Sequence, residues 1–152
     1  MRTDTNALGF IPSTTIEQRY VASNQYILQY DARGRRVGYI LHGPINYGAA
    51  VVVSQAMIDY DHRLRGYGAL AVAELVRRAE IKSASSIKLR CAADLPAVQF
   101  WQSCGFEVLG VTPGGKSRNR MIITFTRRLT LPLLNEPAPQ PEQCVVCAVG
   151  SV

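Results

Sequence analysis

The chain has 152 residues, 47% hydrophobic and 18% charged; this suits one domain with its own core, is too short for two ordinary ones, and excludes a disordered chain. Lys and Arg number 17 against 11 acids, a formal net charge of +6, which favours acidic partners: phosphates, nucleic acid, acidic lipid or acidic peptide. No apolar run is long enough to span a bilayer, and the opening MRTDTNALGF lacks the basic-then-apolar layout of a signal peptide, so a cytoplasmic location is the default expectation.

No internal repeat is visible. Ser13 and Thr14 can cap a short helix over 13–23, with Glu17 three residues after Thr14 as in a capping box. Residues 26–31 read as a strand, Arg33-Gly34-Arg35 as a turn, and 37–42 as the returning strand, broken by Gly43-Pro44. Residues 49–59 form the next strand, whose Val51-Val52-Val53 start suggests burial on both faces. After a loop over 59–65, a helix is expected over 66–80. Val72, Leu75, Val76 and Ala79 fall at i, i+3, i+4 and i+7 and define its core face. Residues 87–91 are a strand, and Asp94 before Pro96 marks the cap and first turn of a helix running to Ser103, which Gly105 stops. Strands over 106–111 and 121–126 flank the loop Pro113 to Arg120. The order of elements implies a mixed sheet covered by helices, an α/β domain over 1–129. The remainder, 130–152, contains Pro132, Pro137, Pro139 and Pro141 and is expected to be an extended or partly disordered tail.

Cys91 and Cys104 read as small buried hydrophobes. Cys144 and Cys147 form a lone C-x-x-C with no second pair or His pair nearby, so no metal site is expected; a surface disulfide or an inert tail is the plainer reading.

The informative stretch runs from Ile58 to Ala69, where a strand ends, a glycine-bearing loop follows, and an amphipathic helix begins. A helix N-terminus leaves backbone N–H groups unpaired and carries partial positive charge. Gly66 and Gly68 let a ligand approach them closely, and Arg63 and Arg65 add charge, which together make a phosphate cradle. Neither the Walker pattern nor the dinucleotide G-x-G-x-x-G is present, which argues against a nucleoside triphosphate or NAD.

Arg63-x-x-Gly66-x-Gly68 resembles the Q/R-x-x-G-x-G/A signature of the GNAT superfamily of acyl-CoA N-acetyltransferases. Asp94-x-x-Ala97-x-x-Phe100-Trp101-x-x-x-Gly105-Phe106 resembles that family's N-x-x-A-x-x-[FL]-Y-x-x-x-G-F segment, one helix and one strand later. The resemblance covers about residues 25–129. It implies a mixed, mostly antiparallel twisted sheet flanked by helices and splayed after the family's fourth strand, with acetyl-CoA as cofactor and an amine as acceptor. The CoA phosphates are then expected on the amides from Leu64 through Tyr67 to Ala69. The pantetheine arm is expected against Met57 and Ile58, with Asp94, Ala97 and Trp101 completing the cofactor contacts.

Two positions depart from the family's pattern. Asp94 stands where many members have Asn; a carboxylate can accept a pantetheine N–H but cannot donate. Trp101 stands where many members have the Tyr that protonates the leaving thiolate, and an indole N–H is a poor proton donor. The general acid is left open among Tyr60, Tyr67, Cys104 and water, or the fold binds CoA and catalyses nothing. Asp59 is the first candidate for the base, followed by Asp61, His62, or a water oriented by Gln55. The plainer reading of Phe100 and Trp101 is core packing.

For the acceptor, the loop Gly114-Gly115-Lys116-Ser117-Arg118-Asn119-Arg120 carries three cations. With Arg33, Arg35 and Arg36 it could track a phosphate backbone, so a nucleic-acid-borne amine is one reading. A small-molecule or protein amine is another. A dimer is the default by resemblance alone.

Overall fold

The computed structural model describes residues 11–115 and 120–130; the tail expectation and Cys144-x-x-Cys147 lie outside them. Strands β1 (Tyr26–Tyr30) and β2 (Arg36–His42) form an antiparallel hairpin. The Asp31 carboxylate shapes its turn by accepting the backbone N–H groups of Arg33 and Arg35, at 2.9 Å each, and Gly34 supplies the left-handed φ of +73°. Strand β3 (Ala50–Ile58) returns antiparallel to β2. Helix α2 (Tyr67–Ile81) crosses to β4 (Ser86–Ala92), which lies parallel to β3. Helix α3 (Ala97–Ser103) leads to β5 (Glu107–Pro113) and then β6 (Met121–Arg128). The six strands stand in the order β1-β2-β3-β4-β6-β5, and β3–β4 is the one parallel pair. This is the mixed, mostly antiparallel sheet flanked by helices that the sequence implied.

The core forms where α2 and α3 cover one face of the sheet. Val72, Leu75, Val76 and Ala79, the expected stripe, are all buried with Ile40, Val51, Ile87, Leu89 and Phe125. Trp101 joins them at 6% exposure, its ring edge-on to Phe100 at 5.0 Å and Phe106 at 5.3 Å between centroids.

Three local expectations are corrected. The N-terminal helix, α1 (Ser13–Thr15), continues as π-helical turns over Ile16–Val21. Pro12, not Ser13 or Thr14, is its N-cap and no side-chain capping bond forms, because the two hydroxyl residues already lie inside the first turn. Asp94 does not cap α3, whose N-cap is Pro96; its carboxylate is engaged elsewhere. Val51 and Val53 are buried but Val52 is 51% exposed, because helices α2 and α3 cover only one face of this part of the sheet. Strand β3 is therefore half-buried, not buried on both sides.

Two features of β3 position the site. Its pairing with β4 runs only over Ala50↔Ser86, Val51↔Ile87 and Val52↔Lys88; beyond Val52 the two strands part. On its other edge, Leu41 pairs with Gln55 but His42 with Val53, which leaves Ser54 unmatched as a β-bulge. The bulge changes which side chains face α2. Val51 and Val53 do so before it and Ala56 after it, while Gln55 and Met57 take the opposite face with Leu41.

Candidate active site

The cleft opened by the parting strands has β3 on one wall, β4 on the other, and the N-terminus of α2 above. Asp59 N–H donates to Val37 O at 2.8 Å, so Val37 and Asp59 form a hydrogen-bonded pair of the β2–β3 ladder. Alternation then turns Met57 and Gln55 amides toward β2, and Ala56 and Ile58 amides toward the cleft. The expectation for Met57 is corrected on this ground: its amide faces β2 and its side chain is 7% exposed. The Ala56 amide faces the cleft instead, and sequence reasoning missed it because a bulge leaves no signature in VVVSQAMI. Arg63 Nε donates to Ile58 O at 3.1 Å, and its guanidinium lies 5.3 Å from the centroid of the Tyr60 ring. Arg63 thereby braces the loop onto the strand end.

The loop is built as a cradle. Leu64 and Gly66 have φ of +59° and +84°, and successive N–H groups around such residues converge on one side of the chain. Gly66 is the N-cap of α2, with no side-chain capping bond, and the first helical bond runs from Leu70 N–H to Gly66 O. The first-turn amides of Tyr67, Gly68 and Ala69 thus have no intrahelical partner. A Cβ at Gly66 would meet nothing within 4 Å, whereas one at Gly68 would stand 3.0 Å from Phe100 Cζ. Gly66 therefore serves conformation. Gly68 makes room for an α3 ring, which gives that glycine a packing reason of its own. Arg65 is exposed beside the cradle.

On the face opposite α2, Tyr39 Oη donates to Gln55 Oε1 at 3.1 Å, and burial raises the Tyr39 hydroxyl above its ordinary pKa. Across the cleft, Asp94 is gripped by Arg120 in a two-pronged ion pair, with Nη2–Oδ2 at 2.7 Å and Nε–Oδ1 at 2.9 Å. Arg120 holds the Asp94 carboxyl below the usual carboxylate range. The pairing corrects the reading of the 114–120 loop as three cations free for phosphates, since Arg120 is tied to Asp94; Lys116 and Arg118 lie outside the described residues.

The remaining expected residues are dispersed. Tyr60 is 69% exposed, and Asp59 forms the N-cap of the 3-10 turn Tyr60–His62. His62 Nε2 lies 3.9 Å from Asp31 Oδ2 and its ring is edge-on to Tyr67. Cys104 sits at the far end of α3, where its carbonyl accepts Arg127 Nη1 at 2.7 Å and burial pushes its thiol pKa up. Arg127 stands opposite Ile87 at the closed end of the strands, so Cys104 is remote from the cleft as a proton donor. Ala97 packs against the core at the start of α3. Trp101 is core, which matches the packing reading and presents almost none of its ring to a ligand. No group of metal-ligating side chains occurs among the described residues.

A splayed parallel pair beneath an uncapped, glycine-started helix is the arrangement implied by the two sequence segments. A family model described as acetyltransferase (GNAT) matches residues 4–106. The chain belongs to that family. Solved structures share the fold. Ard1 from Thermoplasma volcanium is 17% identical, with a TM-score of 0.67 over 77% of each chain. An aminoglycoside 6'-N-acetyltransferase complexed with coenzyme A is 13% identical, with a TM-score of 0.61 over 70% of this chain and 74% of its own. A spermidine N-acetyltransferase chimera from Vibrio cholerae is 19% identical, with a TM-score of 0.63 over 76% of this chain and 74% of its own. No curated protein matches the chain. The cofactor of the GNAT family is acetyl-CoA, and the left-handed turn at Leu64 and Gly66, the uncapped amides of α2 and the strand gap fit its phosphates and its amide-bearing arm. No helix among the described residues is long and apolar enough to cross a membrane.

Proposed function

We propose that this member of the GNAT family transfers the acetyl group of acetyl-CoA to an amine in the cleft between β3 and β4. The observation that carries the reading is the three-pair limit of the β3–β4 ladder, which leaves the Ala56 and Ile58 amides beside an open channel below the N-terminus of α2. Acetyl-CoA supplies a thioester whose acyl carbon the amine attacks and whose thiolate departs.

The amides from Leu64 to Ala69 hold phosphate oxygens by hydrogen bonds and by the positive end of the α2 dipole. The amide of Ala56 donates to the acyl oxygen as negative charge builds on it, with Ile58 beside it along the strand. The Tyr39–Gln55 pair stands on the acceptor side of β3. It orients a water that takes the amine proton, while Asp59 at the strand end is the nearest carboxylate in sequence. With Trp101 in the core and Cys104 remote, water is the proton source for the leaving sulfur.

The test is release of free thiol from acetyl-CoA by the purified chain in the presence of a panel of primary amines. Amine-dependent release that falls at least tenfold in Gln55→Ala, with acetyl-CoA affinity kept, supports the assignment. Tight acetyl-CoA binding without turnover on any amine would replace the enzyme by a CoA-binding module.

A further inference from the structure

The cleft has two mouths, and they differ. One opens beneath α2, where the uncapped amides lie. The other opens on the opposite sheet face, which α2 and α3 leave bare. There β4 presents Lys88 and Arg90, both exposed. Their direct partners across β6 are Thr126 and Thr124, and Arg128 follows opposite Ser86 on the same face. None of Lys88, Arg90 and Arg128 makes an ion pair or side-chain hydrogen bond among the described residues. Arg35, Arg77, Arg78 and Arg120, by contrast, are each paired with a carboxylate, while Arg127 is bonded to the Cys104 carbonyl. Among the described residues one carboxylate, Glu107, shares the bare face, opposite Thr126 on β5, and no ion pair links it to a described residue either.

We infer that the acceptor of this enzyme is an amine borne by an acidic peptide, whose carboxylates lie on Arg90 and Lys88. The inference rests on the acetyltransferase reading above and names its substrate class. Three arguments carry it. Uncompensated like charges on neighbouring same-face positions of a strand repel one another, and an anionic ligand relieves that repulsion. The positions also point to the reaction centre. Lys88 is level with Val52, and the bulge at Ser54 takes up one residue, so Lys88 lies back from the level of Ala56 by about 10 Å along the strand, and Arg90 by about 3 Å, at about 3.3 Å per residue. An extended peptide with its amine at Ala56 would therefore set its residues about one and about three positions on beside these cations. Finally, Val52, Lys88, Arg90, Thr124 and Thr126 include no aromatic ring, so the stretch around these cations lacks the stacking platform that single-stranded nucleic acid uses; Tyr39, on the β2 side of the same face, is engaged with Gln55. In the transfer, the amine nitrogen bonds the acetyl carbon, the carbon–sulfur bond breaks, the amine proton passes to water, and the thiolate takes a proton from water.

The experiment compares three heptapeptides with a free N-terminal amine and Glu, Gln or Arg at positions 2–5. Acetylation is read with acetyl-CoA, and binding is read by fluorescence anisotropy of peptides labelled at the C-terminus, with CoA present. The Glu peptide is expected to give kcat/KM at least tenfold above the Gln peptide and more above the Arg peptide, with a preference that shrinks as salt is raised. In the double variant Lys88→Glu/Arg90→Glu the order is expected to invert. Lys82→Glu, a charge change of half that size on the far end of α2, is expected to leave the order unchanged. Equal use of all three peptides, or a preference surviving the double variant, would overturn the inference and leave the acetyltransferase reading intact. Charge-selective binding that the double variant abolishes, without acetylation of any peptide, would uphold the surface and count against amine transfer. Absence of charge-selective binding, or tighter binding of a single-stranded oligonucleotide than of the Glu peptide, would also overturn the inference.

Discussion

Gly68 lies so close to Phe100 that a Cβ on the glycine would stand 3.0 Å from Cζ and 3.1 Å from Cε2 of the ring. The second glycine of the loop motif is therefore fixed by packing between α2 and α3. Gly68→Ala gains helix propensity of up to about 1 kcal/mol and loses a comparable amount in moving the ring, for a small net change. Gly68→Leu is expected to destabilise by about 1–3 kcal/mol, the usual cost of overpacking. Urea unfolding in a cycle with Phe100→Ala checks the cause: the cost of the leucine should largely vanish when the ring is gone. If it persists undiminished, the contact is not responsible.

Gly66 tests the cradle separately. Its φ of +84° is left-handed and a Cβ there would touch nothing within 4 Å, so Gly66→Val carries backbone strain of about 1–2 kcal/mol without a clash. The turn relaxes and the amides lose their common direction. Calorimetric titration should show acetyl-CoA affinity reduced at least tenfold in a protein that still unfolds cooperatively. Unchanged affinity would move the phosphates away from this loop.

Trp101 divides packing from chemistry. Truncation to Ala should cost about 3–5 kcal/mol, as for other large buried aromatics. Trp101→Phe keeps the edge-on contacts to Phe100 and Phe106, and it is expected to keep kcat within a few-fold below its melting temperature. A stable Phe variant that has lost turnover would give the indole N–H a part in the reaction.

His42 is 2% exposed at the end of β2, with Nδ1 2.7 Å from Gly43 O and Nε2 buried without a partner. Burial, followed by the nearby Arg78 and Lys82, holds its pKa below 6.5. The unfolded chain therefore takes up a proton first as pH falls. Stability attributable to His42 is complete above about pH 6.5 and declines as the pH drops toward the folded value. His42→Asn, which can still donate to Gly43 O, should flatten the stability profile between pH 7 and 5. A profile that keeps its slope would place the proton uptake on another group.

The helices and strands were legible because each rests on local pattern: the i, i+3, i+4 stripe of α2, the Arg33-Gly34 turn, the stop at Gly105. The loop before α2 was legible as a turn into a helix because left-handed turns and helix starts restrict residue type. What escaped depends on pairing distant in sequence. Asp94 has the sequence position of a cap, but its carboxylate is held by Arg120, 26 positions away. Val52 looked buried because sequence does not say which half of a sheet goes uncovered. Ala56 was passed over for Met57 because the unmatched Ser54 shifts the ladder by one residue, and nothing in Ser54 itself announces that.

That unmatched serine sets the phase of β3, much as an inserted letter shifts a reading frame. Before it, odd-numbered residues serve the core and even-numbered ones look outward; after it, the parity is exchanged. Deleting one residue there would swap the roles of every position from Gln55 to Ile58, whereas a substitution at Ser54 itself keeps the count and the register. Strand length is thus guarded together with residue identity at Gln55, which bonds Tyr39, and at Met57, which is 7% exposed. Under the proposed function, acceptor preference changes through Gln55 and the bare side of β4 while the glycine loop before α2 and the helices stay as they are.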